Sequence, residues 1–207
     1  MASVPYIDEK GVEQTTKAYI VLSSDTTVIW GKAKTTTWYF VINNTEAKLS
    51  KGAICNGDVR FIIADGAKLT ATGVGNQAGI QVSGNGNSLK IYGQTEQSGQ
   101  LVANGGSQSA GIGGGQKQNG SNITINGGIV KATGANSGSG IGGGNQGNGS
   151  NITINGGTIE ATGGSSGAGI GGGYKGGKGF DITINGGEVV ANGGNHAAGI
   201  GGGNMGI

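Results

Sequence analysis

The chain has 207 residues, of which 50 are glycine and one is proline, with 12% charged and 34% hydrophobic residues and a formal net charge of +2. One proline and no glycine at every third position exclude a collagen triple helix, and lysines scattered without a basic run leave no electrostatic footprint for nucleic acid. A single cysteine, Cys55, excludes an internal disulfide framework.

Residues 1–57 differ from the rest of the chain. They hold four of the glycines, both tryptophans (Trp30 and Trp38) and the β-rich runs Tyr19-Ile20-Val21-Leu22 and Trp38-Tyr39-Phe40-Val41-Ile42. The segment is expected to be an N-terminal β cap whose aromatics plug the first regular turn of a stack of repeats. Met1-Ala2-Ser3-Val4-Pro5 has neither the charged nor the apolar region of a secretory signal, and no apolar run reaches membrane-spanning length.

From Asp58 to Ile207 the chain is repetitive. Ile112, Ile141, Ile170 and Ile200, each inside a glycine run, are 29, 29 and 30 residues apart, and Asn122-Ile123-Thr124-Ile125-Asn126-Gly127-Gly128 recurs at Asn151 and, with aspartate first, at Asp181. Eroded copies begin near Leu69 and Leu101, and an insertion of about five residues falls at Gln94 to Ser98. Within each copy apolar residues alternate with polar ones or glycine, as in Ile152, Ile154, Ile159, Ala161, Ala168 and Ile170, which is a strand period. Nine Asn-Gly pairs supply corners, because both residues tolerate positive φ. The pattern predicts an all-β, right-handed parallel β-helix (a β-solenoid) of about five turns of 29–30 residues, with like strands stacked in parallel. Residues 58–207 form one continuous, elongated domain, and stability is collective because a lone turn buries too little apolar surface to offset ordering it. The chain stops just after a glycine run, so a fragment of a longer protein is expected, able to associate end to end.

The blocks Ile-Thr-Ile-Asn-Gly-Gly, Ala-Thr-Gly-Gly and Ala-Gly-Ile-Gly-Gly-Gly, preceded by Val59-Arg60-Phe61-Ile62-Ile63-Ala64-Asp65-Gly66 and Leu89-Lys90-Ile91-Tyr92-Gly93-Gln94, resemble the glycine-rich repeat regions of large bacterial cell-surface proteins. The resemblance covers roughly residues 30–207. It implies an extracellular or cell-surface location, with signal and anchor outside this fragment, and a non-catalytic adhesin, carbohydrate-binding or scaffold role. It carries no site residues with it.

Candidate chemistry is sparse. Gly172-Gly173-Tyr174-Lys175-Gly176-Gly177-Lys178 is followed by Gly179 instead of Ser or Thr and has no strand-to-helix context, so it reads as a corner and not as a phosphate loop. Calcium-binding glycine repeats need a periodic aspartate, whereas beyond residue 65 Asp181 stands alone; no metal or cofactor is expected. His196 has no Cys or His near it and reads as an exposed loop residue. Polysaccharide-cleaving β-helices need clustered acids; the acids of the repeats are Glu160, Asp181 and Glu188, and Glu160 is expected to pair with Lys131 across adjacent turns. Asp58 and Asp65 near Arg60 form the other acid cluster. A polysaccharide-degrading enzyme and an ice-binding solenoid, the latter from the threonine column Thr124, Thr153 and Thr183, stand as alternatives. Sugar binding would use aromatics stacked on pyranose faces, with Trp30, Trp38, Tyr39, Tyr92 and Tyr174 as candidates for a polysaccharide or host glycan. Asn126, Asn155 and Asn185 are expected to stack as a structural amide ladder.

Overall fold

Alternating side chains can bury one face only if a strand meets a neighbour in register. In a computed structural model, which describes residues 2–24 and 28–206, the strands do so by stacking on their counterparts one turn away. Three parallel walls result. The first contains Ile20–Val21, Thr36–Val41, Asp58–Ile63, Ser88–Tyr92, Gly120–Ile125, Gly149–Ile154 and Gly179–Ile184. The second contains Glu46–Leu49, Lys68–Thr72, Gln100–Asn104, Ile129–Thr133, Thr158–Thr162 and Glu188–Asn192. The third is made of short strands, Ile29–Trp30, Ala53–Cys55, Ile80–Gln81, Ile112–Gly113, Ile141–Gly142, Ile170–Gly171 and Ile200–Gly201. Among the described residues no helix is long and apolar enough to cross a membrane.

The chain is thus a parallel β-helix, with six complete turns in place of the expected five. The extra turn is Thr36 to Cys55, inside the stretch read as a cap: Thr37 pairs with Val59, Ala47 with Leu69 and Ile54 with Gln81. The repeat period does not reveal it, because Thr37 to Val59 is 22 residues, whereas Ile123 to Ile152 is 29. Its corners are short and carry no glycine run. The coil therefore begins before Asp58, and the part outside it is smaller than residues 1–57.

Inward residues form continuous columns. Leu89, Ile123 and Ile152 stack in one, Phe61, Ile91, Ile125 and Ile154 in a second, Leu101, Val130 and Ile159 in a third, and Ile80, Ile112, Ile141 and Ile170 in a fourth, all at 0–1% exposure. Tyr39 heads the second column, and Trp30 stacks on it at 5.2 Å and lies 5.6 Å from Phe61, closing the N-terminal end of the bore as the aromatic plug expected there. Cys55 is buried, and burial pushes its thiol pKa up, so little reactive thiolate forms.

The glycine run of the third wall is a packing requirement. Gly142 has φ +131°, and a Cβ there would fall onto the carbonyl oxygen of Gly171 in the next turn; Gly171 is placed the same way against Gly201. Only backbone fits between those layers.

The remaining N-terminal residues do not cap the end. Val4–Ile7 and Glu13–Thr16 form an antiparallel hairpin that lies across the outside of the first wall. The inserted residues hold it: Gln94 Nε2 donates to the Pro5 carbonyl at 2.9 Å, Ile7 N donates to the Gly93 carbonyl at 3.0 Å and Thr95 Oγ1 donates to Glu13 at 3.1 Å. The insertion is therefore the clamp for the hairpin.

Candidate functional site

The hairpin divides the first wall into a covered and an open half. On the covered half Phe40, Ile62 and Tyr92 form one outward column and Trp38, Arg60 and Lys90 the next, in paired strands. Tyr6 of the hairpin packs 4.8 Å from Trp38 and 4.9 Å from Tyr92, and Trp38 stacks on Tyr92 at 5.3 Å, with the Arg60 guanidinium 5.2 Å from the Trp38 ring. Tyr92 is 3% exposed, and burial pushes its phenol pKa up to about 12.

This placement corrects most of the aromatic candidates. Trp30 at 0% and Tyr39 at 3% exposure are core, and the Tyr39 hydroxyl is taken by the Gly31 N–H at 2.7 Å. Trp38 and Tyr92 do face outward, but the ring surface a sugar would need is occupied by Tyr6. Adjacent residues of a strand face opposite ways, so Trp38 and Tyr39 could not both be available; alternation carries no information about a hairpin arriving from elsewhere in the chain. Tyr174 is half-buried in a corner, with Lys175 Nζ 5.7 Å from its ring.

The acid clusters are structural. Asp58 accepts hydrogen bonds from Thr36 Oγ1 at 2.9 Å, Ser88 Oγ at 2.8 Å and Arg60 Nε at 3.0 Å, linking three turns. Burial alone would raise its pKa, but the bonds from Ser88, Thr36 and Arg60 outweigh that and hold it below the usual carboxylate value. A depressed folded-state pKa contributes stability above the unfolded pKa of about 3.9 and loses it as pH falls through the folded value. Acid unfolding is therefore expected to steepen below about pH 4, and Asp58→Asn should remove that component. Circular dichroism at stepped pH checks this; superimposable profiles for both chains would refute it. Asp65 accepts from the backbone N–H of Glu96 at 3.1 Å and of Ser98 at 3.2 Å, pinning the insertion. Glu160 is 3.0 Å from Lys131, the cross-turn pair expected from their shared column, and His196 is exposed.

The open half is polar. Its three strands present Asn122, Thr124 and Asn126, then Asn151, Thr153 and Asn155, then Asp181, Thr183 and Asn185, with rungs about 4.8 Å apart. The expected ladder is present: Asn155 Nδ2 donates to Asn126 Oδ1 at 2.7 Å and Asn185 Nδ2 to Asn155 Oδ1 at 2.8 Å. A second ladder, not anticipated, runs from Asn151 Nδ2 to Asn122 Oδ1 at 2.6 Å, and its third place is Asp181. Asn122, Asn151 and Asp181 share φ between 50° and 58°, a left-handed bulge in each turn that asparagine and aspartate tolerate. An amide has two N–H donors and two acceptor lone pairs, so Asn155, laddered on both sides and half-buried, still has a donor and an acceptor to offer outward, whereas Asn126 is 6% exposed and its Nδ2 has no partner among the described residues. The hydroxyl between each amide pair adds one of each.

Two features border this array. Ser83, Asn85, Gln118, Asn119 and Ser121 line a shallow polar groove of about 400 Å³ at its upper corner. Phe180 stands at its lower edge, where the preceding turns carry Ser150 and Ser121, and is 46% exposed. Phe180 is absent from the aromatic candidates of the sequence, although its break with an otherwise serine column is visible once the repeats are aligned. In chemistry the surface offers amide and hydroxyl donors and acceptors, with one carboxylate, Asp181, and one exposed aromatic ring at its lower edge.

No curated protein and no solved structure matches the chain. A family model described as a beta helix repeat matches residues 98–116, 123–145, 152–174 and 182–204. Each of the last three segments starts on a first-wall strand and ends beyond a third-wall strand, so the match counts turns of the coil, and this part of the chain is a beta helix repeat region.

Proposed function

We propose that the chain is a non-catalytic module of a cell-surface protein, bacterial by its resemblance, that binds neutral polysaccharide or host glycan through the open half of the first wall and otherwise serves as a rigid scaffold. The observation that carries this reading is the amide and hydroxyl grid with Phe180 at its edge. Sugar hydroxyls are both donors and acceptors, which suits amides with one of each to spare, and an aromatic ring supplies the apolar contact for a pyranose face. The acids speak against the enzyme alternative, since Asp58 and Asp65 are engaged in hydrogen bonds that hold turns together and Glu160 is ion-paired. The ice-binding alternative rests on the column Thr124, Thr153 and Thr183 and on Thr133 and Thr162, but the latter column ends in Asn192 and the neighbouring outward positions Ile129, Thr158 and Glu188 are not uniform.

A glycan and polysaccharide array with the purified chain tests the proposal. A neutral glycan should be retained, and Phe180→Ala should weaken it about tenfold, the equivalent of about 1.4 kcal/mol. Retention unaffected by Phe180→Ala would remove the site, no retention by any glycan would leave the scaffold role alone, and release of shortened sugars would establish the enzyme.

A further inference from the structure

The nine Asn-Gly pairs of the chain are corners, and each also holds an electrophile beside a nucleophile. Glycine has no Cβ to keep its amide nitrogen away from the side-chain carbonyl of the asparagine before it. Ring closure between the two needs a side-chain amide free to turn, a glycine N–H without an acceptor, and access for water. The coil withholds these from most of the pairs. The N–H groups of Gly57, Gly105, Gly120 and Gly149 are donated to Asn87 Oδ1 and to the carbonyls of Thr133, Asn148 and Lys178, at 2.8–2.9 Å. Asn126, Asn155 and Asn185 have their side-chain amides in the ladder. Asn192 ends a strand, and its carbonyl accepts from Gly163 N at 2.8 Å, which fixes the peptide plane that would have to turn.

Asn85-Gly86 is different. It is the tip of the loop between Ile80–Gln81 and Ser88–Tyr92, both residues are exposed, and neither the Asn85 side chain nor the Gly86 N–H has a hydrogen-bond partner among the described residues. Only the base of the loop is pinned, where Asn87 Nδ2 donates to the Ser83 carbonyl at 2.7 Å and Asn87 Oδ1 accepts from Gly57 N. Gly84 and Gly86 flank the tip at φ +87° and +82°, and nothing lies within 4 Å of where a Cβ on Gly86 would stand. We infer that Asn85 is a site of spontaneous deamidation. Gly86 N bonds to Asn85 Cγ as the bond from Cγ to the side-chain nitrogen breaks, and that nitrogen leaves as ammonia with the proton given up by Gly86 N. Water then opens the cyclic imide at either carbonyl, leaving aspartate or, with the backbone routed through the former side chain, isoaspartate. The sum is amide plus water to carboxylate plus ammonium, and nothing is oxidised or reduced. Asn85 lines the polar groove with Ser83, Gln118, Asn119 and Ser121, so the product puts a negative charge on a wall that had none. The inference concerns this loop and stands whether or not the first wall binds glycan.

The folded chain, held in mildly alkaline buffer made with heavy-oxygen water, is digested at intervals and mapped by mass spectrometry. Asn85 should lose its amide and take up label first, at least about tenfold faster than the other pairs, since each of those must open locally before it can react. In concentrated guanidinium chloride the rates of all the pairs should converge. Asn85→Gln, whose longer side chain disfavours the ring, should abolish the earliest acidic species on ion exchange and leave the melting temperature unchanged. Reaction at another pair before Asn85 in the folded chain, comparable rates at every pair, or a lead for Asn85 that persists undiminished in denaturant would each overturn the inference.

Discussion

Ile154→Asn is expected to destabilise the coil by about 4 kcal/mol or more, the sum of a lost buried aliphatic group with its residual cavity and an amide buried without partners. Ile154 is 0% exposed and is stacked between Ile125 and Ile184 in one inward column. The neighbouring Thr153 faces out, so Thr153→Asn should change stability by less than about 0.5 kcal/mol. Ile184→Asn, one turn further on, should cost a fraction of the Ile154 value in dilute solution, because Ile184 is already 42% exposed. Thermal melts of the three variants rank these effects. Equal losses at 153 and 154 would invert the assigned faces, and equal losses at 154 and 184 would mean that the end of the coil is covered.

Gly142→Ala should be as damaging, although alanine adds one methyl group. At φ +131° the backbone is outside the region side chains adopt, and the new Cβ would overlap the carbonyl oxygen of Gly171 in the adjacent turn, where no flexible side chain can yield. The turns must part locally, breaking ladder hydrogen bonds on both sides, and a loss above about 4 kcal/mol is expected. Gly75→Ala is the control: Gly75 also has positive φ, at +55°, but a Cβ there meets nothing within 4 Å, so its cost should be confined to about 1–2 kcal/mol of left-handed strain. Urea unfolding of the pair separates strain from collision. Similar midpoints for the two variants would show that the third wall tolerates a wider layer spacing.

Much of the coil is legible in the residues because parallel stacking imposes a repeat on every layer at once. An inward isoleucine at 154 requires one at 125, and the amide at 155 is bonded to those at 126 and 185. Where the stacking relaxes, legibility falls. The turn from Thr36 to Cys55 keeps the alternation and loses the period, since its shorter corners need no glycine, and so in sequence it reads as part of a cap.

The candidate site divides along the same line. Alternation by itself determined that Thr124, Thr153 and Thr183 face outward, because the side-chain period of a strand is two. It also determined the parallel walls, the inward isoleucine columns and the amide ladder at Asn126, Asn155 and Asn185, since each is a contact between residues one repeat apart. Only the tertiary structure decided which outward residues remain available. Tyr6 covers Trp38 and Tyr92 through a hairpin clamped by Gln94, a contact of 89 residues in sequence between Gln94 and Pro5 that no periodicity encodes.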